Sequence, residues 1–240
     1  MATLDDAAHL LDVWDAGASV SGVMQDVVVL HAAGVVADLD GALDLGVDEV
    51  AALAAGLYAE AFGNVVEGVI RCHRCGDLLD VPLPLSAVLA DPPGAAGPVE
   101  SPVGDLAVRA PTLRDLVLAG RSPDPATALW NRCVTRAGGE PVDASAFGTD
   151  VLAQVDAVAE RLAGLAALVV TAPCPACGAD LRAPVDVSQL LWQRICVAAP
   201  ALLAEVATLA AAFGWTERDV LALSVPRRRA YLDLVGAGVR

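Results

Sequence analysis

Two Cys-x-x-Cys-Gly pairs constrain this chain more than any other feature. The first is Cys72-His73-Arg74-Cys75-Gly76 and the second is Cys174-Pro175-Ala176-Cys177-Gly178. Each follows an apolar run with strand character, residues 65–70 and 165–170, and each precedes a short apolar stretch, a proline and a serine. Two such pairs supply four thiolates, the ligand number and type that a tetrahedral zinc ion takes in a closed structural site. A two-residue spacer lets one tight turn aim two sulfurs at one ion. The glycine that follows can adopt positive φ without steric cost, turning backbone N–H groups toward the sulfurs. Zinc held by Cys72, Cys75, Cys174 and Cys177 is therefore the expected cofactor. The cost of this reading is topological, because the gap between the pairs must hold whole helices.

A redox reading competes with it. Cys-Pro-Ala-Cys resembles an oxidoreductase site, in which a lowered thiol pKa activates the first cysteine. Such a site comes once per domain at a helix N-terminus, whereas here there are two pairs in hairpin-like settings. Cys133 and Cys196 lie in apolar helical stretches and read as small core residues. His73 is expected to face solvent, and His9 and His31 lack metal spacing.

The surroundings of the two pairs match as well. Cys72, Cys75, Gly76, Leu79, Pro82, Ser86 and Leu89 correspond to Cys174, Cys177, Gly178, Leu181, Pro184, Ser188 and Leu191 at a constant offset of 102. Upstream, Leu10-Leu11-Asp12 through Ala16-Gly17 corresponds to Leu113-Arg114-Asp115 through Ala119-Gly120 at an offset of 103. A recurring offset is the signature of internal repetition. Helical periodicity is expected over 4–16, 20–33 and 49–61, with Asp48 as N-cap, and over 112–119, 125–136 and 149–163. The expected fold is mainly α with small β-hairpins: a duplicated helical unit, each copy ending in a zinc-knuckle hairpin, plus a C-terminal helical tail. Copy one spans 1–89 and copy two 112–187. Residues 90–111, rich in Pro, Gly and Ala, read as a flexible linker. The tail spans 188–240. In it Ser188 can cap a long helix over 189–212, interrupted or kinked near Pro200.

Charge narrows the partners. The net charge is −15, every basic residue is an arginine, and residues 1–70 carry twelve acids and no base. Such a surface repels nucleic acid and anionic membranes. The N-terminus places acids where a secretory leader needs a positive region, and metal-spaced cysteines suit a reducing compartment, so a cytoplasmic location is expected. The longest apolar stretch, 195–213, contains Pro200 and Glu205 and reads as a buried or partner-facing helix rather than a membrane span.

The tail beyond Phe213 is locally basic, with five arginines against three acids. Thr216-Glu217-Arg218-Asp219 has the form of a capping box with Asp in place of Glu. Ser224-Val225-Pro226 then opens a last helix carrying Arg227, Arg228, Arg229 and Tyr231. The segment Phe213-Gly214-Trp215-Thr216-Glu217-Arg218-Asp219-Val220-Leu221, followed by the arginine run and Tyr231-Leu232, resembles the C-terminal signature of baseplate hub assembly proteins. These belong to contractile-tail phages and phage-like contractile injection systems. Cys-Pro-x-Cys-Gly ahead of a long helix containing Leu190-Leu191-Trp192 is similar to that family, as is Phe62-Gly63 before the first pair. Tail assembly chaperones carry related Gly-Trp segments. The resemblance spans both copies and the tail. It implies an assembly helper or minor component of the hub or tape-measure core, meeting protein partners.

No catalytic constellation accompanies these motifs. Ser19 and Ser21 lack elbow glycines, and there is no phosphate-binding glycine loop. The expectation is a non-enzymatic assembly protein with structural zinc. Aromatic and arginine residues anchor interfaces, so Trp192, Trp215, Arg227, Arg228, Arg229 and Tyr231 are its candidate partner contacts. The alternatives are a zinc-ribbon regulator that touches nucleic acid and a Cys-x-x-Cys thiol oxidoreductase.

Overall fold

The computed structural model describes residues 4–89, 99, 101 and 104–237. It is mostly helical, with small antiparallel two-stranded sheets. The chain opens with four helices, α1 (Ala7–Ala18), α2 (Val23–Ala32), α3 (Leu39–Leu43) and α4 (Val47–Phe62). A hairpin of β1 (Val65–Arg71) and β2 (Leu78–Pro84) follows, then α5 (Leu85–Leu89). Next come β3 (Leu106–Val108), α6 (Leu113–Ala119), α7 (Pro125–Cys133), β4 (Val134–Arg136) and α8 (Thr149–Ala163). A second hairpin, β5 (Val169–Pro173) and β6 (Asp180–Pro184), leads into α9 (Val187–Phe213), α10 (Glu217–Leu221) and α11 (Val225–Gly236).

Element starts recur at one spacing: 23 and 125 for α2 and α7, 47 and 149 for α4 and α8, 78 and 180 for β2 and β6, 85 and 187 for α5 and α9. The upstream Leu-x-Asp correspondence does not extend to environment. Asp12 is exposed in mid-helix, whereas Asp115 is buried at the third position of α6 and closes a capping box with Thr112.

Local chemistry explains where the helices begin. Asp6 accepts from the N–H groups of Ala8 and His9 at the head of α1, so that helix starts three residues later than its apolar pattern. At α4 the N-cap is Gly46, whose N–H donates to the Glu49 carboxylate at 2.8 Å, and Asp48 sits inside the first turn. At α9 the cap is Asp186, accepting from the Gln189 N–H at 3.0 Å, rather than Ser188. Thr216 and Asp219 cap each other at α10 as their spacing predicts.

The strand expected over 165–170 begins only at Val169, because Gly164–Ala167 forms a 3-10 turn. Two further expectations need correction. The helix over 125–136 ends at Cys133, and β-branched Val134 and Thr135 continue as β4, paired with β3 in a third two-stranded sheet. β3 lies inside the expected linker, and Val99 also bridges to Leu106. Leu106 and Val134 are fully buried with Val155 in one core, and that burial orders the end of the segment. Residues 90–98, 100, 102 and 103 of the expected linker lie outside the described residues. The second concerns the interruption expected near Pro200: α9 continues through it as one helix. Ala199 and Leu202, either side of it, pack against Leu10 and Leu11 of α1, so burial on both sides of the proline offsets the hydrogen bond it removes.

α9 is the central strut. Leu191, Ile195, Ala199, Leu202, Val206 and Leu209 form its buried stripe, and the helix packs against α1, α4, α10 and α11. Each Leu or Ile so buried contributes roughly 1.5–3 kcal/mol relative to exposure. By length and composition alone α9 could also cross a membrane. Trp192 on α9 lies against Gly17 of α1: a Cβ there would approach the indole to 2.5 Å. Gly17→Ala is therefore expected to cost about 1–3 kcal/mol through overpacking. Urea unfolding followed by tryptophan fluorescence measures this, and an unchanged midpoint would mean that Trp192 is not seated there.

Where α2 meets the start of α9, burial, reinforced by the nearby Asp186 charge, pushes the Asp26 carboxyl from 3.8 up to about 7. The folded protein then holds that proton more tightly than the unfolded chain. Stability falls as pH rises from about 4 to about 7, and the loss persists above. Asp26→Asn should add about 2 kcal/mol at pH 8, after discounting for partial exposure, and nothing at pH 4. Urea melts of both proteins at the two pH values check this.

Candidate metal centre

The two Cys-x-x-Cys turns close the two hairpins with the same local structure. Cys72 N–H donates to the Asp77 carbonyl at 2.8 Å, and Cys174 N–H donates to the Ala179 carbonyl at 2.8 Å. The N–H groups of Gly76 and Gly178 return to the carbonyls of Cys72 and Cys174 at 2.9 and 2.8 Å. Both glycines carry the positive φ that this return requires, 79° and 70°. The Arg74 N–H points at the Cys72 sulfur at 3.4 Å.

The tips of the hairpins meet. Cys72 Sγ lies 3.7 Å from Cys177 Sγ, and Cys75 Sγ lies 3.6 Å from Cys174 Sγ. All four sulfurs fall within 4.8 Å of one another, and all come from a single chain. Four sulfurs at a Zn–S distance of about 2.3 Å would stand about 3.8 Å apart, so the donor set fits a tetrahedral thiophilic ion. Cys72 and Cys174 are buried, Cys177 is half-buried and Cys75 is exposed. Ile70, Leu79 and Leu181 cover the inner side, while His73 faces solvent.

The thiols interact strongly. Hydrogen bonding from the Cys75 N–H draws Cys72 down to about 6 against the effect of burial, with the Arg74 N–H adding to it. At Cys75 the Asp77 N–H favours the thiolate, but burial and the three neighbouring thiols outweigh it and push the group up to about 12. At Cys177 the Ala179 N–H is likewise outweighed by burial and by Cys72 and Cys174. Four mutually repelling thiolates need a cation among them, and binding one would release protons.

The other cysteines stand apart. Cys133 is buried beside Asp115 and burial pushes its thiol up to about 11. Cys196 is half-buried and also raised by burial. Neither has the lowered pKa of a reactive thiol.

Beside Cys133 lies a polar cluster that sequence reasoning missed. Asp115 is 2% exposed and accepts from Arg109 Nη1 at 2.6 Å, Arg132 Nε at 2.7 Å and the Thr112 N–H at 3.0 Å. Burial alone would raise its carboxyl; these donors outweigh it and hold the group well below the usual carboxylate range. Its one signal in the sequence was the Thr112-x-x-Asp115 capping pattern, since the arginines come from other elements.

The proposed partner residues divide. Trp215 and Tyr231 pack edge to face at 4.8 Å, and Phe213 stacks on Trp215. Phe213 stays 41% exposed. Arg227 and Arg229 face solvent. Trp192 is half-buried in the main core. Arg228 needs correction as a partner contact: it is 7% exposed and donates to Glu205 of α9 at 2.6 Å. Helical spacing turns it inward while its neighbours point out.

Compared with family models, curated proteins and solved structures, this chain matches none of them.

Proposed function

We propose that Cys72, Cys75, Cys174 and Cys177 hold one structural zinc ion that clasps two copies of a duplicated helical unit, and that the protein is a non-enzymatic assembly factor or minor component of a contractile-tail or injection-system baseplate hub. The observation that carries the metal is the convergence of four sulfurs from two hairpin tips. The duplication is supported by element starts that recur 102 residues apart, as at Val47 and Thr149, and by the shared hydrogen bonding of the two turns. A closed four-sulfur site leaves no coordination position for substrate. Its work is to convert metal binding into folding free energy.

The assembly role rests on the tail. Phe213, Trp215 and Tyr231 form an aromatic cluster beside exposed Arg227 and Arg229, a composition suited to anchoring a protein partner. This reading carries a cytoplasmic location and no nucleic-acid or membrane contact. Mixing the purified protein with recombinant hub and tape-measure components tests it by size exclusion. Co-elution that is lost in a Trp215→Ala, Arg229→Ala double variant is expected. Failure to co-elute with any hub or tape-measure component would end the assembly role. A salt-dependent DNA titration separates the regulator alternative, since phosphate contacts produce a steep salt slope.

A further inference from the structure

β1 has a partner on one side only. Its register decides which groups face the other side. Leu85 N–H donates to the Asn64 carbonyl and Cys72 N–H donates to the Asp77 carbonyl. With the observed pairing, the even-numbered residues of β1 bond to β2, and Val65, Glu67, Val69 and Arg71 turn their N–H and C=O groups outward. On β2 the same outward rows hold Pro82 and Pro84. β5 carries Pro173 and β6 carries Pro184 in the matching rows. Proline blunts an edge because it has no N–H to offer. Of the four hairpin strands, only β1 keeps every outward donor.

Open space follows that edge. A cavity of about 420 Å³ lies between β1, β6 and α9. A second, of about 330 Å³, shares Val66, Glu67, Leu190 and Gln193 with it and runs on to Val197. On the outer face Val65 is 48% exposed and Val69 62% exposed, with exposed Glu67 between them. The charged residues lining the larger cavity are Glu67 and Asp186, with no cation among them. Neither takes part in an ion pair among the described residues. Arg194 lines the neighbouring cavity, stacked over Phe62.

We propose that the free edge of β1 docks an extended segment of a protein partner, added as a third strand, with a basic residue flanked at two-residue spacing by apolar ones. Main-chain bonds to Val65, Glu67 and Val69 supply the affinity of strand addition. On the outer face the partner's basic side chain pairs across the strands with Glu67, and its apolar neighbours meet Val65 and Val69. The alternate side chains enter the cleft toward α9. The prolines of the other three strands direct the partner to β1. This surface is distinct from the tail contact, and it does not depend on which metal the cysteines hold.

The test uses full-length protein purified without chelator and a capped peptide, Val-Thr-Arg-Thr-Val-Thr, at millimolar concentration. Amide exchange by NMR should slow at Val65, Glu67 and Val69 and stay unchanged at Val66 and Gly68. A peptide with Glu for Arg should bind about fivefold more weakly, as a cross-strand charge pair implies. Glu67→Arg should invert that preference. Val69→Pro, in a row facing away from β2, should abolish binding; if it disturbs the fold, the charge inversion decides alone. No protection, or equal binding of the two peptides, overturns the proposal. So does a concentration-dependent dimer that Val69→Pro abolishes, because the occupant would then be a second copy.

Discussion

Cys174→Ser is expected to release the metal and lower the melting temperature by roughly 10–20 °C, corresponding to a loss on the order of 5 kcal/mol. The magnitude follows from how little else joins the hairpins. Their shared apolar cluster is built on Cys72, Cys174 and Leu181, with Ile70, Leu79, Cys177 and Ala179 around it, and two-stranded hairpins without further support are marginal in water. The helical cores around Leu30 and Val155 contain none of the four ligands, so helical circular dichroism should largely survive at low temperature. Cys72→Ser and Cys174→Ser combined should cost little more than either alone, since one site is lost once. Elemental analysis of the parent protein should find one zinc per chain. Zinc should leave as pH falls, because protons compete for the thiolates. A parent protein free of metal, with a variant that melts at the same temperature, would end the structural-zinc reading.

Asp115→Ala is expected to cost about 3–5 kcal/mol, the range for removing one member of a buried charge cluster. Arg109 and Arg132 would lose their common acceptor and Thr112 its reciprocal cap. Arg109→Ala should cost less, because that side chain is 50% exposed and Asp115 keeps Arg132. Acid titration separates this cluster from ordinary packing. Its carboxyl pKa is depressed in the folded state, so its contribution is present above about pH 4 and is lost as pH falls through the folded value. Asp115→Ala should therefore narrow its stability gap to the parent protein in strong acid. A constant gap at every pH would assign the effect to packing alone.

Much of the site was legible because its signal is local. A two-residue spacer and a glycine define each knuckle turn, and Gly76 and Gly178 adopt the positive φ that their position predicts. The Thr216 capping box and the helices α2, α4, α8 and α9 were likewise readable from nearest-neighbour chemistry and periodicity. The Asp115 cluster was not, because Arg109, Asp115 and Arg132 become neighbours only when β3, α6 and α7 pack together. Arg228 escaped for the same reason: a run of three arginines does not reveal which one helical phase will bury.

The chain by itself determined its longer helices α2, α4, α8 and α9, its two knuckle turns and the identity of four metal-competent sulfurs, since spacing, capping and glycine conformation act over a few residues. Tertiary structure alone decided that Cys72 meets Cys177 and Cys75 meets Cys174, that β3 and β4 pair, and that α9 continues past Pro200. Those outcomes depend on which buried faces find each other across a hundred residues, and no local preference encodes that.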